Sequence, residues 1–160
     1  YFEQALGKEP DNFYALFGLA DCYRGTGRPS MSLDFWNRIL GKDNRNKVIL
    51  TRAGDAYRSM GEYEEAAKYY EKALNIEFDV YAVLGLAVIA RMQGKYEEAI
   101  TSLRKLIQND PKNYRLYLEL SECYVATGDR QRALETLSDF QRLGIRNVYI
   151  QDAVAKLQRG

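Results

Sequence analysis

The side chains that most often carry out catalysis or bind metal ions are scarce in this sequence of 160 residues. It contains no histidine, the commonest general base and the commonest metal ligand in proteins. Its two cysteines, Cys22 and Cys123, lie in distant parts of the sequence. Two distant thiols without a histidine do not make a zinc-binding set, and they are not the framework of a small secreted domain. The sequence therefore predicts no metal site and no cofactor.

Short motifs that could bind nucleotides or act as acids and bases also lack their usual context. Gly25-Thr26-Gly27 has neither the preceding strand nor the third glycine of a dinucleotide site. Gly94-Lys95 follows a predicted helix, whereas a phosphate-binding loop follows a strand. The pairs Glu64-Glu65 and Glu97-Glu98 begin predicted helices, where acidic side chains complement the helix dipole. We therefore predict that this protein is not an enzyme.

Composition restricts the possible partners. The 23 basic and 22 acidic side chains give a net charge of +1, without the basic excess of a protein that binds phosphate backbones or anionic membranes. No apolar run approaches the roughly 18 residues that cross a bilayer. We predict a protein or peptide partner, no nucleic acid and no direct membrane insertion. The opening residues, YFEQALGKEP, resemble the interior of a chain, so they do not indicate a compartment.

The elements that position these residues follow an internal repeat. Four glycines recur with spacings of 34, 33 and 34 residues, at Gly27, Gly61, Gly94 and Gly128. Five positions after them come the small residues Ser32, Ala66, Ala99 and Ala133. Four positions later come the bulky apolar residues Trp36, Tyr70, Leu103 and Leu137. A fixed period of this length indicates stacked structural repeats.

Each repeat is predicted to contain two helices. Apolar residues recur at helical spacing on both sides of the glycine, which can adopt the left-handed conformation that ends a helix. Each second helix is predicted to end at a turn, as at Glu9-Pro10-Asp11-Asn12, Asp43-Asn44-Arg45-Asn46 and Asp110-Pro111-Lys112-Asn113. Small residues let the paired helices approach closely, at Ala20, Gly54, Ala87 and Ser121. One such unit cannot bury its apolar face alone, so neighbouring repeats stack.

These positions carry a family resemblance. In the second repeat they are Leu50, Ala53, Gly54, Tyr57, Ala66, Tyr70 and Ala73, and the sequence resembles a tetratricopeptide-repeat (TPR) protein. The resemblance implies an all-α fold, a right-handed α-solenoid of about four full helix-turn-helix repeats. A partial N-terminal repeat would precede them and a C-terminal capping helix would follow. The predicted segments are 1–12, 13–46, 47–79, 80–113, 114–147 and 148–160.

The resemblance also implies where a partner binds. First helices of TPR repeats line a concave groove, which would make this chain a non-catalytic scaffold for a peptide or a partner helix. The groove positions carried over are Tyr14, Phe17, Arg24, Thr51, Asp55, Arg58, Tyr81, Leu84, Val88, Arg91, Met92, Arg115, Leu118, Glu122 and Val125. The lysine and asparagine with which some TPR domains clamp the acidic tails of chaperones are absent from the corresponding positions, so that ligand is disfavoured.

One feature of this set is a recurring arginine, at Arg24, Arg58 and Arg91. The first two follow Asp21 and Asp55 by three residues, which predicts ordinary pairs on one helix surface. Arg91 has Val88 at that place. Two interpretations therefore stay open for Arg91: a bond to Glu122 of the next repeat, or contact with an acidic group of a ligand.

A second feature is a predicted apolar patch, formed by Tyr81, Leu84, Val88, Met92, Leu118 and Val125. If exposed, it would serve a partner; alternatively, the repeats close over it or a self-contact buries it. A different function is also open, a self-assembling or spacer module, because Phe2, Ala5 and Leu6 would leave an uncovered N-terminal face. Both cysteines are predicted to be buried, three repeats apart and too far apart for a disulfide.

Overall fold

The computed structural model describes residues 1–9 and 12–160, and helices are the only regular secondary structure within those two ranges. The helices α1 to α10 span Phe2–Lys8, Phe13–Gly25, Pro29–Lys42, Lys47–Ser59, Tyr63–Ile76, Val80–Met92, Tyr96–Asn109, Tyr114–Ala126, Arg130–Gln141 and Val148–Arg159. The predicted all-α architecture of paired helices is confirmed. The turn predicted at Pro10 and Asp11 lies outside the described residues.

The residue types at the helix ends explain where the helices begin and stop. Asparagine caps the N-termini of α2, α4, α8 and α10; in α4 the Asn46 side chain accepts a hydrogen bond from the Ile49 amide at 3.2 Å. Gly61, two residues after the end of α4, adopts a positive φ of 79°, a conformation that costs glycine little. The other three predicted glycines do the same, at Gly27, Gly94 and Gly128. These caps reproduce the predicted helix-turn-helix period.

Two compact units make up the chain, Tyr1–Gly85 and Leu86–Gly160, with their boundary inside α6. In the first unit, α1 to α5 pack in chain order around the fully buried Trp36. Its core cluster comprises Leu16, Ala20, Leu33, Trp36, Ile39, Ile49, Ala53 and Ala56. The small residues Ala20 and Ala53 are completely buried there, as expected of positions where helices approach closely.

The second unit contains the end of α6 and helices α7 to α10. Its C-terminal core consists of Tyr117, Leu137, Phe140 and Ile150. The last helix, predicted within segment 148–160, spans Val148–Arg159. Its apolar side contributes Ile150 to that core and packs Ala153, Val154 and Leu157 against it. The polar side of α10 stays in solvent, so this helix caps the unit.

Candidate functional site

The first arginine of the recurring series bonds to its own helix. In α2, the Arg24 guanidinium lies 2.7 Å from the Asp21 carboxylate, and both side chains are more than 40% exposed. This pair was predicted from the three-residue spacing, and such exposed pairs contribute only tenths of a kcal/mol. Arg24 is therefore held loosely and remains near the surface of α2.

The second arginine belongs to a network that reaches into the core. In α4, Arg58 lies 3.5 Å from Asp55, as predicted, but it also donates a 3.1 Å hydrogen bond to the hydroxyl of Tyr70 in α5. That hydroxyl donates a 2.6 Å hydrogen bond to Asp55. Burial, and next the negative charge of Asp55, raise the pKa of Tyr70 far above its ordinary value. Burial lowers the pKa of Arg58, but Tyr70 and Asp55 outweigh it and the net pKa is raised.

Two glycines make room for the Tyr70 ring, which is fully buried. A Cβ atom on Gly54 would lie 2.7 Å from this ring, and one on Gly85 would lie 2.3 Å from it. Gly54 was predicted as a close-approach position, whereas the role of Gly85 was not. In the first repeat, Gly18 is equally close to the ring of Phe2, which lies 34 residues before Trp36. Gly18 and Gly85 hold the same position in their repeats.

The third arginine forms an ion pair between repeats. In the second unit, the Arg91 guanidinium of α6 donates a hydrogen bond to the carboxylate of Glu119 in α8. Both side chains are mostly shielded, with exposed fractions of 22% and 13%. Burial lowers the pKa of Arg91, but the bond to Glu119 and its charge raise it more. Of the two interpretations left open, pairing within the chain is the one observed, with Glu119 in place of the expected Glu122.

Thr51, one of the predicted groove positions, is buried. Its side chain is 5% exposed, and its hydroxyl donates a 2.9 Å hydrogen bond to Asp79. Asp79 also accepts a 2.9 Å hydrogen bond from the amide of Tyr81, at the beginning of α6. Thr51 therefore ties α4 to the start of α6 and has little surface left for a partner.

The apolar groove positions of the first unit differ in exposure. Tyr14 is 81% exposed, whereas Phe17 is half-buried with its ring edge-on to Trp36 at 5.2 Å between ring centroids. At the beginning of α6, Tyr81 is exposed and Leu84 is half-buried. Phe17 is thus part of the core wall, and Tyr14 and Tyr81 supply accessible aromatic surface.

The apolar groove positions of the second unit lie beside the Arg91–Glu119 pair in sequence. Met92 and Val125 are 53% and 42% exposed, and Val88 is half-buried. Leu118 is half-buried and packs against the C-terminal core. We refer to Val88, Met92, Leu118 and Val125 as the α6/α8 apolar face.

The two polar groove positions of α8 lie on the same helix as Leu118 and Val125. Glu122 is exposed, and the Arg115 guanidinium lies 5.9 Å from the centroid of the Tyr114 ring. Tyr114 in turn stacks on Tyr149 of the capping helix at 5.6 Å. The N-terminal half of α8 therefore carries a cation on an aromatic platform.

The two cysteines differ in their surroundings. Both thiols are free, but Cys22 is exposed and Cys123 is buried, so the prediction that both are buried is wrong for Cys22. Burial, and next the charge of Glu119, raise the pKa of Cys123 to about 11. Cys123 lies close enough to Arg91 of α6 for the cation to oppose this rise. Cys22 has the same register in α2 but lies on the side of α2 that is open to solvent.

Within residues 1–9 and 12–160, no three histidine, cysteine, aspartate or glutamate side chains gather in a way that could hold a metal ion. Within the same residues, every helix is too short or too polar to cross a membrane.

Comparisons with known proteins place this geometry in a family. Sequence models of the tetratricopeptide repeat match residues 1–46 and 51–114, and a second such model matches residues 90–157. A tetratricopeptide repeat protein from Parabacteroides merdae, solved by crystallography, superposes with a TM-score of 0.89 at 23% identity, over 98% of this chain and 62% of that one. This likeness concerns the fold.

Relatives of known sequence are much longer than this chain. The TPR repeat-containing protein YpiA of Bacillus subtilis is 33% identical over 125 residues, which are 77% of this chain and 30% of YpiA. The human protein O-mannosyl-transferase TMTC1 is 26% identical over 124 residues, or 77% of this chain and 14% of that enzyme. TPR repeats generally serve as non-catalytic mediators of protein–protein interaction. The chain belongs to the tetratricopeptide-repeat family.

Proposed function

We propose that this chain binds a peptide or a helix of another protein against the first helices of its repeats. One observation carries this proposal: Met92 and Val125, the apolar groove positions at the ends of α6 and α8, are about half exposed, whereas Arg91 and Glu119 of the same two helices are mostly shielded. Apolar surface in water is unfavourable, and a partner that covered it would recover that free energy. The half-buried Val88 and Leu118 would extend the contact.

The size of this face sets the expected affinity. Complete burial of four aliphatic side chains returns about 6–12 kcal/mol. Val88 and Leu118 are already half-buried in the free protein, so covering the face returns less than that. Association itself costs an estimated 4–15 kcal/mol. We therefore expect a dissociation constant in the micromolar range or weaker for a short peptide.

Peptide selection from a random library tests this proposal, because the library itself supplies the ligands. Displayed peptides of about 15 residues would be selected against this chain, and their binding measured by fluorescence anisotropy. The double variant Met92→Glu/Val125→Glu should weaken binding of the selected peptides by at least about ten-fold, because two carboxylates would have to be desolvated. Both positions are exposed, so far-UV circular dichroism should stay that of the parent.

A matched control separates recognition from general surface hydrophobicity. Val148, in the capping helix, is 58% exposed, and Val148→Glu introduces the same kind of charge outside the α6/α8 apolar face. This control should bind the selected peptides as the parent does. Equal binding by the double variant and the parent would overturn the proposal, as would a selection that enriches no peptide.

A second candidate function, self-assembly, is favoured by a different surface. A cleft of about 700 Å³ lies between α1 and α2, and Phe2, Ala5 and the exposed Tyr14 are among its lining residues. A second copy that covered it would bury aromatic area at a small cost in side-chain entropy. Light scattering over a concentration series tests this: mass that rises with concentration, and falls back in Tyr14→Ser, supports assembly. A monomer at every concentration contradicts it.

A further inference from the structure

A polar cleft in the first unit has a charge arrangement unlike the rest of the chain. It has a volume of about 240 Å³ and lies where the end of α2, the α2–α3 turn and the middle of α4 meet. Two arginines line it, Arg24 from α2 and Arg52 from α4. Its remaining lining residues are Gly27, Pro29, Ser32, Asp55, Ala56 and Ser59.

The charges in this cleft do not balance. Arg24 is paired with Asp21, and Asp55 is engaged by both Tyr70 and Arg58. The Arg52 side chain, by contrast, is half-buried and has no hydrogen bond or ion pair with any residue in the ranges 1–9 and 12–160. Arg52 thus lines a concave site with a positive charge that no carboxylate in those ranges neutralises.

Comparison of equivalent repeat positions shows which partner an arginine at the register of Arg24 has in the second unit. Arg24 and Arg91 hold the same position in their repeats, and the residues 28 positions later are Arg52 and Glu119. In the second unit that pair is an ion pair. In the first unit the acidic partner is replaced by a second arginine, and the two cations line one cleft. At this register, therefore, Arg24 has no counterpart of the Glu119 carboxylate that pairs with Arg91.

We propose that this cleft binds the carboxylate of an acidic residue in a protein partner, between Arg24 and Arg52. A guanidinium fork matches a carboxylate in geometry and charge, and the cleft volume suits one short side chain rather than a helix. The inference rests on the proposed function in taking the partner to be a protein. It concerns a different surface, within the first unit.

A small probe tests this site without the partner. The chain, labelled with ¹⁵N, would be titrated with N-acetyl-glutamate amide and, separately, with the neutral analogue N-acetyl-glutamine amide. The acidic probe should shift the Nε–H signals of Arg24 and Arg52 and the amide of Gly27, with a dissociation constant in the millimolar range. The neutral analogue should leave these signals in place. Raising the salt concentration should weaken binding of the acidic probe, because salt screens the attraction between the charges.

Variants make the result specific. Arg52→Gln should weaken probe binding by about ten-fold, the effect of one charge-assisted contact. Arg45→Gln removes the same charge from an exposed turn of the first unit and should change nothing. Equal shifts with both analogues, unchanged binding in Arg52→Gln, or shifts confined to other arginines would overturn the site.

Two further outcomes are informative. Inorganic phosphate that displaces the acidic probe at a lower concentration than the probe itself binds would overturn the carboxylate assignment in favour of a phosphate group. The probe contains no peptide chain that could cover Met92 or Val125, so its failure leaves the peptide selection to be decided separately. Failure of the selection, with successful probe binding, would count against the proposed function and not against the cleft.

Discussion

The two ends of this chain use one register in opposite ways. In the second unit, Arg91 meets Glu119 of the next first helix, and the pair is largely shielded from water. In the first unit, Arg24 and Arg52 occupy the same two positions, and Arg24 bonds to Asp21 of its own helix. Arg58 has the same register as Arg24 and Arg91, in the repeat between theirs, and it bonds to Asp55 and Tyr70. The comparison teaches that one repeat position can join helices or remain available to a ligand.

The largest effect on stability is expected when the Arg91–Glu119 pair of the second unit is replaced by two arginines, as found in the first unit. Glu119→Arg removes the partner of a half-buried cation and places a like charge beside it, which should lower the free energy of unfolding by about 2–4 kcal/mol. Chemical denaturation monitored by circular dichroism measures this. Glu122→Arg is the control, because Glu122 is exposed on the same helix and acts on Arg91 only through its charge, so its change should cost less than about 1 kcal/mol. Equal effects of the two substitutions would show that the Arg91–Glu119 pair does not stabilise the unit.

The glycine at the same register as Arg52 and Glu119 should be nearly as sensitive. Gly85→Ala puts a methyl group 2.3 Å from the Tyr70 ring, so the buried ring must move, at a cost of about 1–3 kcal/mol. Gly41, in α3, has no atom within 4 Å of such a methyl group. Gly41→Ala should therefore be neutral or stabilise by up to about 1 kcal/mol, as helix propensity predicts. A tolerated Gly85→Ala would contradict the close packing of α4, α5 and the start of α6 around Tyr70.

The Tyr70 hydroxyl should show a dependence on pH. Because its pKa is raised in the folded chain, the unfolded chain releases this proton first as the pH rises through about 10, and stability falls above that pH. The slope should be about 1.4 kcal/mol per pH unit for this one proton. Tyr70→Phe should lose about 1–2 kcal/mol at neutral pH and have a shallower slope above pH 10. The same slope in Tyr70→Phe and in the parent would contradict the raised pKa.

A smaller effect, an increase in stability, is expected when the first unit is given the arginine–glutamate pair of the second unit. Arg52→Glu supplies the carboxylate that Arg24 lacks between repeats, and it should stabilise by about 0.5 kcal/mol, since Arg24 is more exposed than Arg91. It should also abolish binding of the acidic probe. Thermal denaturation together with the probe titration measures both effects. Undiminished probe binding in this variant would contradict the cleft.

Thiol chemistry compares the two units without changing stability. Cys22 and Cys123 share one register, but only Cys123 is buried, with a pKa raised to about 11. A thiol reagent at pH 7.5 should modify Cys22 within minutes and Cys123 only after unfolding, because the protonated, buried thiol is unreactive. Mass spectrometry of timed digests distinguishes the two. Similar rates at both sites would contradict the burial of Cys123.

Residue types at fixed positions made most of the fold predictable. The asparagine caps, the turn glycines and the 34-residue period are local signals, and they were sufficient for helix pairing and for the capping helix. The pairs Asp21–Arg24 and Asp55–Arg58 were predictable for the same reason, since both partners lie on one helix.

Contacts between helices were less predictable. The partner of Arg91 depends on how α6 and α8 are rotated about their axes, and a difference of one turn separates Glu119 from Glu122. The exposure of Cys22 depends on which elements cover α2, a property that its own register does not encode. The role of Gly85 was not predictable from its own repeat, because it is defined by contact with Tyr70, a residue in another repeat.

Methyl NMR of a bound peptide tests most directly whether this chain recognises partners through its first helices. The methyl groups of Met92, Val125 and Val148 would be labelled with ¹³C and followed during titration with a selected peptide. We expect the Met92 and Val125 signals to shift and saturate together while Val148 stays unchanged. Shifts at Val148 alone, or no shift at Met92 and Val125 when the peptide is bound, would contradict the proposed function.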